Sequence, residues 1–408
     1  MAKGFFTLSA PKVSPVQSRT PRCGECKLFQ QCNSPKMPPT GKGKKGILIV
    51  AEAPGKTEDA QGIQLVGDAG QRLRQHLDML DIDLDEDCIK TNAIICRPPN
   101  NRKPEPAEIA ACRPNLFNTI EQYNPSVIIL LGQTAVDSLL SPVWGGEIGT
   151  IERWVGWRIP CGNPNAWIVP TWHPSFLLRN EKPVLDLLFR KHLAKAVEVA
   201  GTRPPKPKDY ASEVRIEYRP HVAAKLIDRF TRATDRPCAF DYEVTALKPE
   251  TKGARILSCA ISDGHRTIAY PWHGEAIAAT IRFLQSSVPK IGANIQFEER
   301  WSQVHAGGPV RGWLFDTMLG GHVLDNRPDI VGLKFQGFVL LGYPNYAAHL
   351  EPYMEEHRNG LNRLAEVNLK DLLLYNGIDA ALDWDVAQIQ IQQMAKIWRA
   401  GQPAEVVL

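Results

Sequence analysis

The chain has 408 residues, of which 43% are hydrophobic and 23% are charged, and its formal net charge is +4. This length is too great for one typical core, so two domains are expected, and the composition is ordinary for a soluble globular protein. No apolar run approaches the roughly 20 residues of a membrane helix, and the apolar stretch within residues 1–10 is too short for a secretory signal, so we expect no membrane role and a cytoplasmic location, in the host cytoplasm if the chain is viral.

The first segment of the chain is strongly basic. Residues 1–20 are rich in Ser, Pro and Lys and are predicted to form a flexible basic arm. Glu25 is the one acid among the first fifty residues, against many lysines and arginines. The excess of cations indicates either a solvated arm or a phosphate-binding surface, and composition alone does not choose between them.

Four cysteines have the spacing of metal or cluster ligands. Cys23 and Cys26 form a CxxC pair, and Cys96 and Cys112 follow, sixteen positions apart. Four thiolates hold either a 4Fe–4S cluster or structural zinc, and unrelated buried cysteines are the remaining interpretation. The other cysteines have no ligand spacing and are expected to be packing residues: Cys32, Cys88, Cys161, Cys238 and Cys259.

Buried strands alternate with a helical pattern in the first half. Residues 46–50 and 126–131 are continuous apolar runs, as in strands that are buried on both faces. Between them, residues 69–80 have helical spacing. This alternation predicts a mostly parallel sheet that is covered by helices on both faces.

Several short segments of this half occur in a characteristic order. They are Glu52-Ala-Pro-Gly55 with Glu58-Asp59 and residues 62–70, Thr91-Asn92 with residues 96–102, Leu131-Gly132-Gln133-Thr134-Ala135, and His173-Pro174-Ser175. The order resembles that of the iron–sulfur, family-four uracil-DNA glycosylases over roughly residues 20–195. The resemblance implies a three-layer α/β/α fold and a 4Fe–4S cluster on Cys23, Cys26, Cys96 and Cys112.

The same resemblance implies roles for individual residues. Asn92 would hydrogen-bond the uracil edge, His173 would stabilise the departing uracil anion, and Glu52 would lie near the sugar. Gly55 would let the backbone approach the base. Leu65 stands where the family has a phenylalanine that stacks on uracil, a contact worth roughly 1–3 kcal/mol. Weaker catalysis, a changed base preference and an inactive DNA-binding module are the alternatives that follow from Leu65.

A connector separates the two halves. Residues 201–208 hold three prolines and three cations, which predicts a stiff, exposed linker. We therefore predict a glycosylase-like domain over 21–200, a linker over 201–212 and a second domain over 213–408.

The second half places acidic residues at informative spacings. Residues 238–244, 255–261 and 266–271 are predicted strands, and a helix-rich region follows from about 333 to 398. Asp241 and Glu243 lie two apart on the first of these strands and therefore share a face. Tyr375 and Asp379 lie four apart, which places them on one face of a helix.

Two further segments lie between these pairs. They are Asn294-Ile-Gln-Phe-Glu298 and Phe315-Asp316-Thr317-Met318. The order resembles that of the DEDDy 3′→5′ exonuclease domain of DNA polymerase I, over roughly residues 213–395.

This second resemblance implies a ribonuclease-H-like fold with a mixed sheet. It also implies that Asp241, Glu243, Glu298 and Asp379 supply carboxylates to two Mg²⁺ or Mn²⁺ ions, and that Tyr375 orients water. Asn294 would contact the substrate. Glu298 stands where the family normally has aspartate, and its extra methylene moves the carboxylate by more than about 1 Å in a site held to about 0.5 Å.

Taken together, the two resemblances predict a DNA replication or repair enzyme that excises uracil and trims single-stranded 3′ ends. An exonuclease with an inactive glycosylase-fold module and a non-enzymatic scaffold subunit are the alternatives. The residues after Asp379 are too few for a polymerase domain, so a separately encoded DNA polymerase is the expected partner.

Overall fold

The computed structural model describes residues 20–357 and 360–399, so that residues 1–19 of the predicted arm lie outside the described residues. The described chain divides into two compact units. The first runs up to Pro207 and also includes Phe338–Pro344, and the second comprises Lys208–Gly337 and the described residues from Asn345 onward. The division falls inside the segment 201–212.

Phe338–Pro344 groups with the first unit, although it lies far along the chain, inside the segment 213–408 that we assigned to the second domain. The reason is aromatic packing. The Phe338 ring centroid lies 5.0 Å from that of Trp144 and 6.0 Å from that of Trp154. Sequence pattern does not reveal such a distant contact.

The first unit alternates strands and helices. Its strands are β1 Ile47–Ala51, β2 Cys88–Asn92, β3 Val127–Leu131, β4 Ile159–Gly162 and β5 Asn165–Thr171. Its helices are α1 Cys23–Cys26, α2 Lys56–Gln61, α3 Asp68–Asp78, α4 Pro106–Tyr123, α5 Gln133–Trp144, α6 Ile151–Trp154, α7 Pro174–Arg179 and α8 Pro183–Val197, with short 3₁₀ helices at Leu28–Gln30 and Pro99–Asn101.

These strands form one sheet in the order β2-β1-β3-β5-β4, within the described residues. All neighbours pair in parallel except β4 and β5, which are antiparallel. Strands β1, β2 and β3 are buried along their whole length because helices cover both faces of the sheet. On one face Leu73 of α3 and Phe189 of α8 pack into the same core as Ile49.

The second unit has a sheet of another type. Its strands are β6 Val214–Ile216, β7 Cys238–Val244, β8 Ile256–Ser262, β9 Thr267–Pro271, β10 Lys290–Gly292 and β11 Trp313–Asp316. Its helices are α9 Tyr210–Glu213, α10 Pro220–Arg232, α11 Glu275–Leu284, α12 Ile295–His305, α13 Thr317–Leu324, α14 Leu333–Leu341 (whose last residues belong to the first unit), α15 Glu351–Met354 and α16 Leu369–Arg399, with a short 3₁₀ helix at Leu364–Glu366.

The order in this sheet is β11-β10-β7-β8-β9-β6. Strand β7 is antiparallel to β8 and parallel to β10, so the sheet is mixed. Helix α16 packs along β7, β8 and β9. The predicted α/β class, with a mostly parallel sheet followed by a mixed one, is confirmed. Among the described helices we find none that is both long enough and apolar enough to cross a membrane.

Candidate active sites

The carboxyl ends of the parallel strands gather the predicted residues of the first unit. The register pairs Ala51, the last residue of β1, with Asn92, the last residue of β2. Glu52 follows β1 directly, and His173 lies just beyond the end of β5. Ligands of open α/β sheets bind at this edge, so chain topology alone brings Glu52, Asn92 and His173 to one side of the sheet.

A cleft opens at this edge. It encloses about 740 Å³, counting its open mouth, and Glu52 and His173 both line it. The other lining residues are Ala53, Gly132, Gln133, Ile151, Glu152, Trp172, Ser175, Phe176 and Arg179. The rings of Trp172 and Phe176 stack with their centroids 6.1 Å apart, so the cleft has an aromatic wall.

His173 is held in one orientation by its own helix. It is the N-cap of α7, and its Nδ1 accepts a hydrogen bond from the backbone N–H of Ser175 at 3.3 Å. A neutral ring that accepts at Nδ1 carries its proton on Nε2. Burial, reinforced by the charge of Arg179, lowers the pKa of His173 to about 4. The imidazole is therefore neutral at pH 7 and has Nε2–H as its donor.

Gly132 makes this arrangement sterically feasible. Its φ is +86°, and a Cβ added there would lie 3.0 Å from the Cβ of His173. Any other residue would be strained in the backbone and would also press on the histidine. Helix α5 begins directly after Gly132 and contains Thr134. The Thr134 hydroxyl donates to Glu52 Oε2 at 3.0 Å and orients that carboxylate.

Asn92 is buried without a complete set of partners. Its side chain is 3% exposed, and its Nδ2 has no hydrogen-bond partner among the residues that the structure describes. Buried amide donors are almost always paired, so the Nδ2 of Asn92 is a donor that a ligand at this edge of the sheet could use.

Glu58 organises the loop between α2 and α3. Its carboxylate accepts hydrogen bonds from the backbone N–H groups of Gly55, Val66 and Gly67, at 3.1, 3.2 and 2.8 Å. Gly55 is therefore a structural N-cap of α2, and this glutamate holds two segments of the motif together.

Leu65 lies within the loop that Glu58 holds. The side chain of Leu65 is 5% exposed and packs in the core with Leu73 and Leu177, and it is not among the residues that line the cleft. The structure therefore does not bring Leu65 to the cleft where the resemblance implies a base-stacking residue.

The four predicted ligand cysteines line one small pocket. Cys23, Cys26, Cys96 and Cys112 share it with apolar side chains such as Phe29 and Ile94. The backbone N–H of Lys36 donates to Cys96 Sγ at 3.2 Å, and the side-chain amide of Asn115 donates to Cys112 Sγ at 3.4 Å. Burial raises the pKa of Cys96 to about 12 and that of Cys112 to about 11, so in this pocket a thiolate needs a nearby positive charge.

The spacing of these sulfurs bears on which group they suit. A single tetrahedral zinc ion holds thiolate sulfurs roughly 3.8 Å apart, as follows from a Zn–S bond of about 2.3 Å. In the part of the chain that the structure describes, no three of the four sulfurs lie within 4.8 Å of one another. The structure therefore does not gather three of these sulfurs at the spacing of a single zinc ion.

Three acidic residues of the second unit converge. Asp241 and Glu243 of β7 and Asp379 of α16 each place a carboxylate oxygen within 4.8 Å of the other two. We call these three residues the carboxylate triad. Burial, together with their mutual repulsion, raises the pKa of both Asp241 and Glu243 well above the usual range, while burial raises that of Asp379 to about 6. A cation would remove this repulsion.

Neighbouring side chains orient the triad. The Asn376 amide donates to Asp241 Oδ2 at 2.7 Å and itself accepts from the Ser258 hydroxyl at 3.0 Å. The Tyr346 hydroxyl donates to Asp379 Oδ1. One of these partners, Asn376, belongs to α16 itself, and the other, Tyr346, lies in the segment between α14 and α15.

Lys334 of α14 lies against the triad. Its ammonium donates to the Tyr375 hydroxyl at 2.6 Å and lies 3.6 Å from Asp379 Oδ2. Burial opposes the charge of this lysine, but the charges of Asp379 and Tyr375 raise its pKa overall. Tyr375 therefore lies beside the triad, and its hydroxyl oxygen accepts a hydrogen bond from the Lys334 ammonium.

The remaining predicted residues of this unit are near but separate. Glu298 on α12 is 2% exposed and interacts electrostatically with Asp241, yet it is not part of the triad. Asn294 is the N-cap of α12, in a left-handed conformation, and its backbone N–H donates to Asp316 Oδ1 at 3.1 Å.

Comparison with known proteins supports the glycosylase resemblance of the first unit. Residues 38–200 match the Uracil DNA glycosylase superfamily. A type-4 uracil-DNA glycosylase of Sulfurisphaera tokodaii is 36% identical over 194 residues, which cover 46% of this chain and 83% of that protein. The chain belongs to the uracil DNA glycosylase superfamily.

Two further comparisons are with a DNA polymerase and a nuclease. A DNA polymerase of Bacillus phage SP01 is 23% identical over 322 residues, which cover 73% of this chain and 34% of that polymerase. Among solved structures, the apo form of a nuclease is similar with a TM-score of 0.34 and 16% identity, covering 47% of this chain and 84% of that one. A TM-score of that size does not by itself establish a shared fold.

Several site residues could not be found from sequence. Trp172, Phe176 and Arg179 line the cleft of the glycosylase-superfamily unit, and Lys334 contacts the second site. Lys334 lies 41 positions before Tyr375, and no local spacing links the two. By contrast, Asn376 lies one residue from Tyr375, which places it on the predicted helix and near the site.

Proposed function

We propose that the chain is a bifunctional DNA-processing hydrolase. The glycosylase-superfamily unit would remove uracil from DNA, and the second unit would degrade single-stranded DNA from its 3′ end with two divalent cations. The observation that carries the nuclease half is that Asp241, Glu243 and Asp379 each place a carboxylate oxygen within 4.8 Å of the other two. Three neighbouring carboxylates with raised pKa values, of which Glu243 and Asp379 are buried and Asp241 is half-buried, are an unfavourable arrangement unless cations bind there.

In the glycosylase half, the chain's residues divide the work of breaking the bond between base and sugar. Neutral His173 would donate from Nε2–H to the uracil oxygen on which negative charge develops, an interaction that strengthens in the transition state. The Glu52 carboxylate, held by Thr134, would face the positive charge that develops on the sugar, or direct a water to it. A flipped base would have to reach the edge of the sheet where both lie.

Asn92 fits the role of base recognition in this scheme. An amide offers one donor and one acceptor edge, which complement the acceptor and donor of uracil. The unpartnered Nδ2 of Asn92 supports this assignment because binding of the base would supply the bond that the buried amide lacks.

The cysteine pocket is proposed to hold a 4Fe–4S cluster. The four cysteines line one pocket, two of their sulfurs accept N–H donors as cluster thiolates do, and the other walls are apolar. The cluster would be structural, because it would tie α1 to the N-terminal part of α4 through Cys26 and Cys112.

In the nuclease half, hard oxygen ligands suit Mg²⁺ or Mn²⁺. Asp241, Glu243 and Asp379 would hold such ions, with Glu298 as a further ligand. Bound cations there would supply an activated water and charge stabilisation for the leaving 3′ oxygen. Tyr375 would orient the water, Lys334 would fix the direction of the tyrosine hydroxyl, and Asn294 would meet the substrate at the start of α12.

A DNA polymerase is the proposed partner. The alignment with the phage polymerase, 322 residues, is longer than either unit, so it runs across both. In that phage protein, regions similar to both units therefore belong to one polymerase chain. We infer that this protein works together with a polymerase activity, and the proposed site of action is the cytoplasm.

One alternative has a specific observation in its favour. Leu65 is buried in the core, so the chain has neither the family's stacking phenylalanine nor a substitute for it at that position. The glycosylase-superfamily unit would then bind DNA without excising uracil.

The test compares uracil-containing and uracil-free single strands, with and without Mg²⁺. The bifunctional proposal predicts uracil release in EDTA and shortening of both strands with Mg²⁺. Shortening without any uracil release would leave the binding-module alternative. Failure of both reactions would leave a non-enzymatic scaffold.

A further inference from the structure

Two aromatic side chains form one wall of the cleft in the glycosylase-superfamily unit. Trp172 lies directly before His173, and Phe176 lies four residues after Trp172, in α7. Their rings are stacked with an interplanar angle of 25°. Both side chains are half-buried, and both pack against the core that contains Leu177 and Phe189. Each ring therefore has one part in the core and another part in the cleft that it lines.

A third ring holds Trp172 in place. The centroid of the buried His192 ring lies 5.2 Å from that of Trp172, with an interplanar angle of 38°. His192 is itself fixed, because its Nδ1 and the Thr171 hydroxyl share a hydrogen bond of 3.0 Å. Ring contacts thus run from His192 through Trp172 to Phe176, and within the described part of the chain no further ring packs against Phe176. Phe176 is the outermost ring of an ordered series, which loses little conformational entropy when a ligand stacks on it.

The position of this wall indicates which ligand it suits. Glu52 and His173 line the same cleft, and their proposed work is on the bond between a base and its sugar. A base that lay against Phe176 would have that bond close to both residues. Every nucleobase has a flat π face, and stacking on an aromatic side chain contributes to its affinity whatever its sequence context.

The chain lacks a stacking ring at the place where the resemblance implies one. Leu65 stands there, is buried in the core and does not line the cleft. Phe176 comes from a different segment of the chain, directly after the strand that ends at Thr171 and the turn that carries His173. The cleft therefore has an aromatic surface in spite of the leucine.

We propose that Phe176, held in place by Trp172, is the surface on which the extruded base stacks. This assignment rests on the proposed glycosylase function and deepens it, because it names the ring that supports the base when Leu65 does not. The alternative role of the two rings is structural, as core packing that keeps α7 on the sheet. A purely structural role would change the binding of all DNA strands alike.

The test measures binding to the full chain by fluorescence anisotropy, in EDTA and at one fixed salt concentration, so that neither proposed reaction consumes the probe. One single-stranded oligonucleotide carries a single 2′-fluoro-2′-deoxyuridine, whose fluorine disfavours positive charge on the sugar and so prevents cleavage. Its matched strand carries a tetrahydrofuran abasic site at the same position. Wild type should prefer the uridine strand.

Phe176→Leu keeps an apolar side chain and removes the ring. We expect its affinity for the uridine strand to fall by about 5–100-fold, the range expected for loss of one base–aromatic stack, and its affinity for the abasic strand to stay unchanged. Phe176→Tyr keeps a ring and should lose much less affinity. Phe176→Met serves as the second variant without a ring if Phe176→Leu does not fold.

Leu178→Ala is the matched control, because Leu178 lies on α7, is 40% exposed and does not line the cleft. A loss confined to the uridine strand in Phe176→Leu, with none in Leu178→Ala, would support the proposal. Equal losses on both strands, or unchanged preference for the uridine strand in Phe176→Leu, would overturn it while leaving the glycosylase proposal standing. Equal binding of the two strands by wild type would also overturn it, and the glycosylase proposal fails separately if wild type releases no uracil from an unmodified strand.

Discussion

At the scale of single residues, His173 offers a test through its protonation state. Its pKa is lowered to about 4 by burial and by Arg179, so the ring stays neutral on acidification until the pH approaches that value. The donor role at Nε2 needs only the neutral ring. We therefore expect the rate of uracil release to be flat from about pH 8 to about pH 5.5 and to fall as the pH drops through about 4.

The measurement is single-turnover uracil release from single-stranded DNA across this pH range. Arg179→Gln removes the charge that helps to lower the histidine pKa, so its acid limb should move to higher pH. A wild-type rate that already falls near pH 6.5 would show that His173 titrates as an ordinary histidine and would contradict this account of the cleft.

Leu65 gives a second prediction at this scale, and it differs from the one that sequence suggests. By resemblance alone, Leu65→Phe restores a stacking ring and raises uracil excision. The structure buries Leu65 at φ +56° in the core, so the larger ring should overpack it and cost about 1–3 kcal/mol of unfolding free energy without a gain in excision.

Urea denaturation followed by circular dichroism measures this cost, and Leu178→Phe is the control, because Leu178 is 40% exposed on α7. An unchanged midpoint for Leu65→Phe with faster uracil release would show that the side chain turns toward the base.

At the scale of elements, Glu58 fastens the loop between α2 and α3. Glu58→Gln replaces one of the oxygens that accept three backbone N–H groups, so at least one of these donors loses its partner. We expect a loss of about 1–3 kcal/mol and a raised KM for uracil-containing DNA, because Gly55 and Val66 are no longer held together. The exposed Asp78→Asn on α3 is the control for a simple change of charge, and equal behaviour of the two variants would contradict the anchoring role.

Helix α16 positions the triad through Asn376. The amide of this residue links Asp241 to Ser258, so Asn376→Ala should leave Asp241 free to rotate. We expect Mn²⁺ affinity to fall by about 10–100-fold, as for other residues that orient metal ligands. Calorimetric titration measures this, and Asn362→Ala, whose amide donates to a backbone carbonyl of β7, is the comparison. Wild-type affinity in Asn376→Ala would contradict the positioning role.

Local periodicity in the sequence predicts some contacts of the candidate sites, and others depend on tertiary packing. The spacing of Asp241 and Glu243 on β7, and of Tyr375 and Asp379 on α16, follows from strand and helix periodicity and predicted what the structure brings together. The pairing of Lys334 with Tyr375 depends on how α14 docks, which no periodicity encodes. The motif resemblance places Leu65 at a base-stacking position, whereas the burial of Leu65 depends on the packing of α3 and α7.

At the scale of the whole molecule, the two sites belong to different compact units. We therefore expect their losses to be nearly independent. His173→Ala should stop uracil release and leave DNA shortening unchanged, Asp241→Ala should do the reverse, and the double variant should combine the two effects additively. Rates of both reactions measured on one uracil-containing strand provide the check, and loss of both reactions in either single variant would contradict the assignment of one chemistry to each unit.

The most direct test of the central claim is the direction and metal dependence of DNA degradation. Purified wild type and Asp241→Asn are each given a single-stranded oligonucleotide labelled at its 5′ end, with Mg²⁺ or with EDTA. The account predicts a ladder of 5′-labelled products that shortens progressively with Mg²⁺ for wild type, and an intact strand for Asp241→Asn and for wild type in EDTA. An intact strand for wild type with Mg²⁺, or an unchanged ladder for Asp241→Asn, would contradict it.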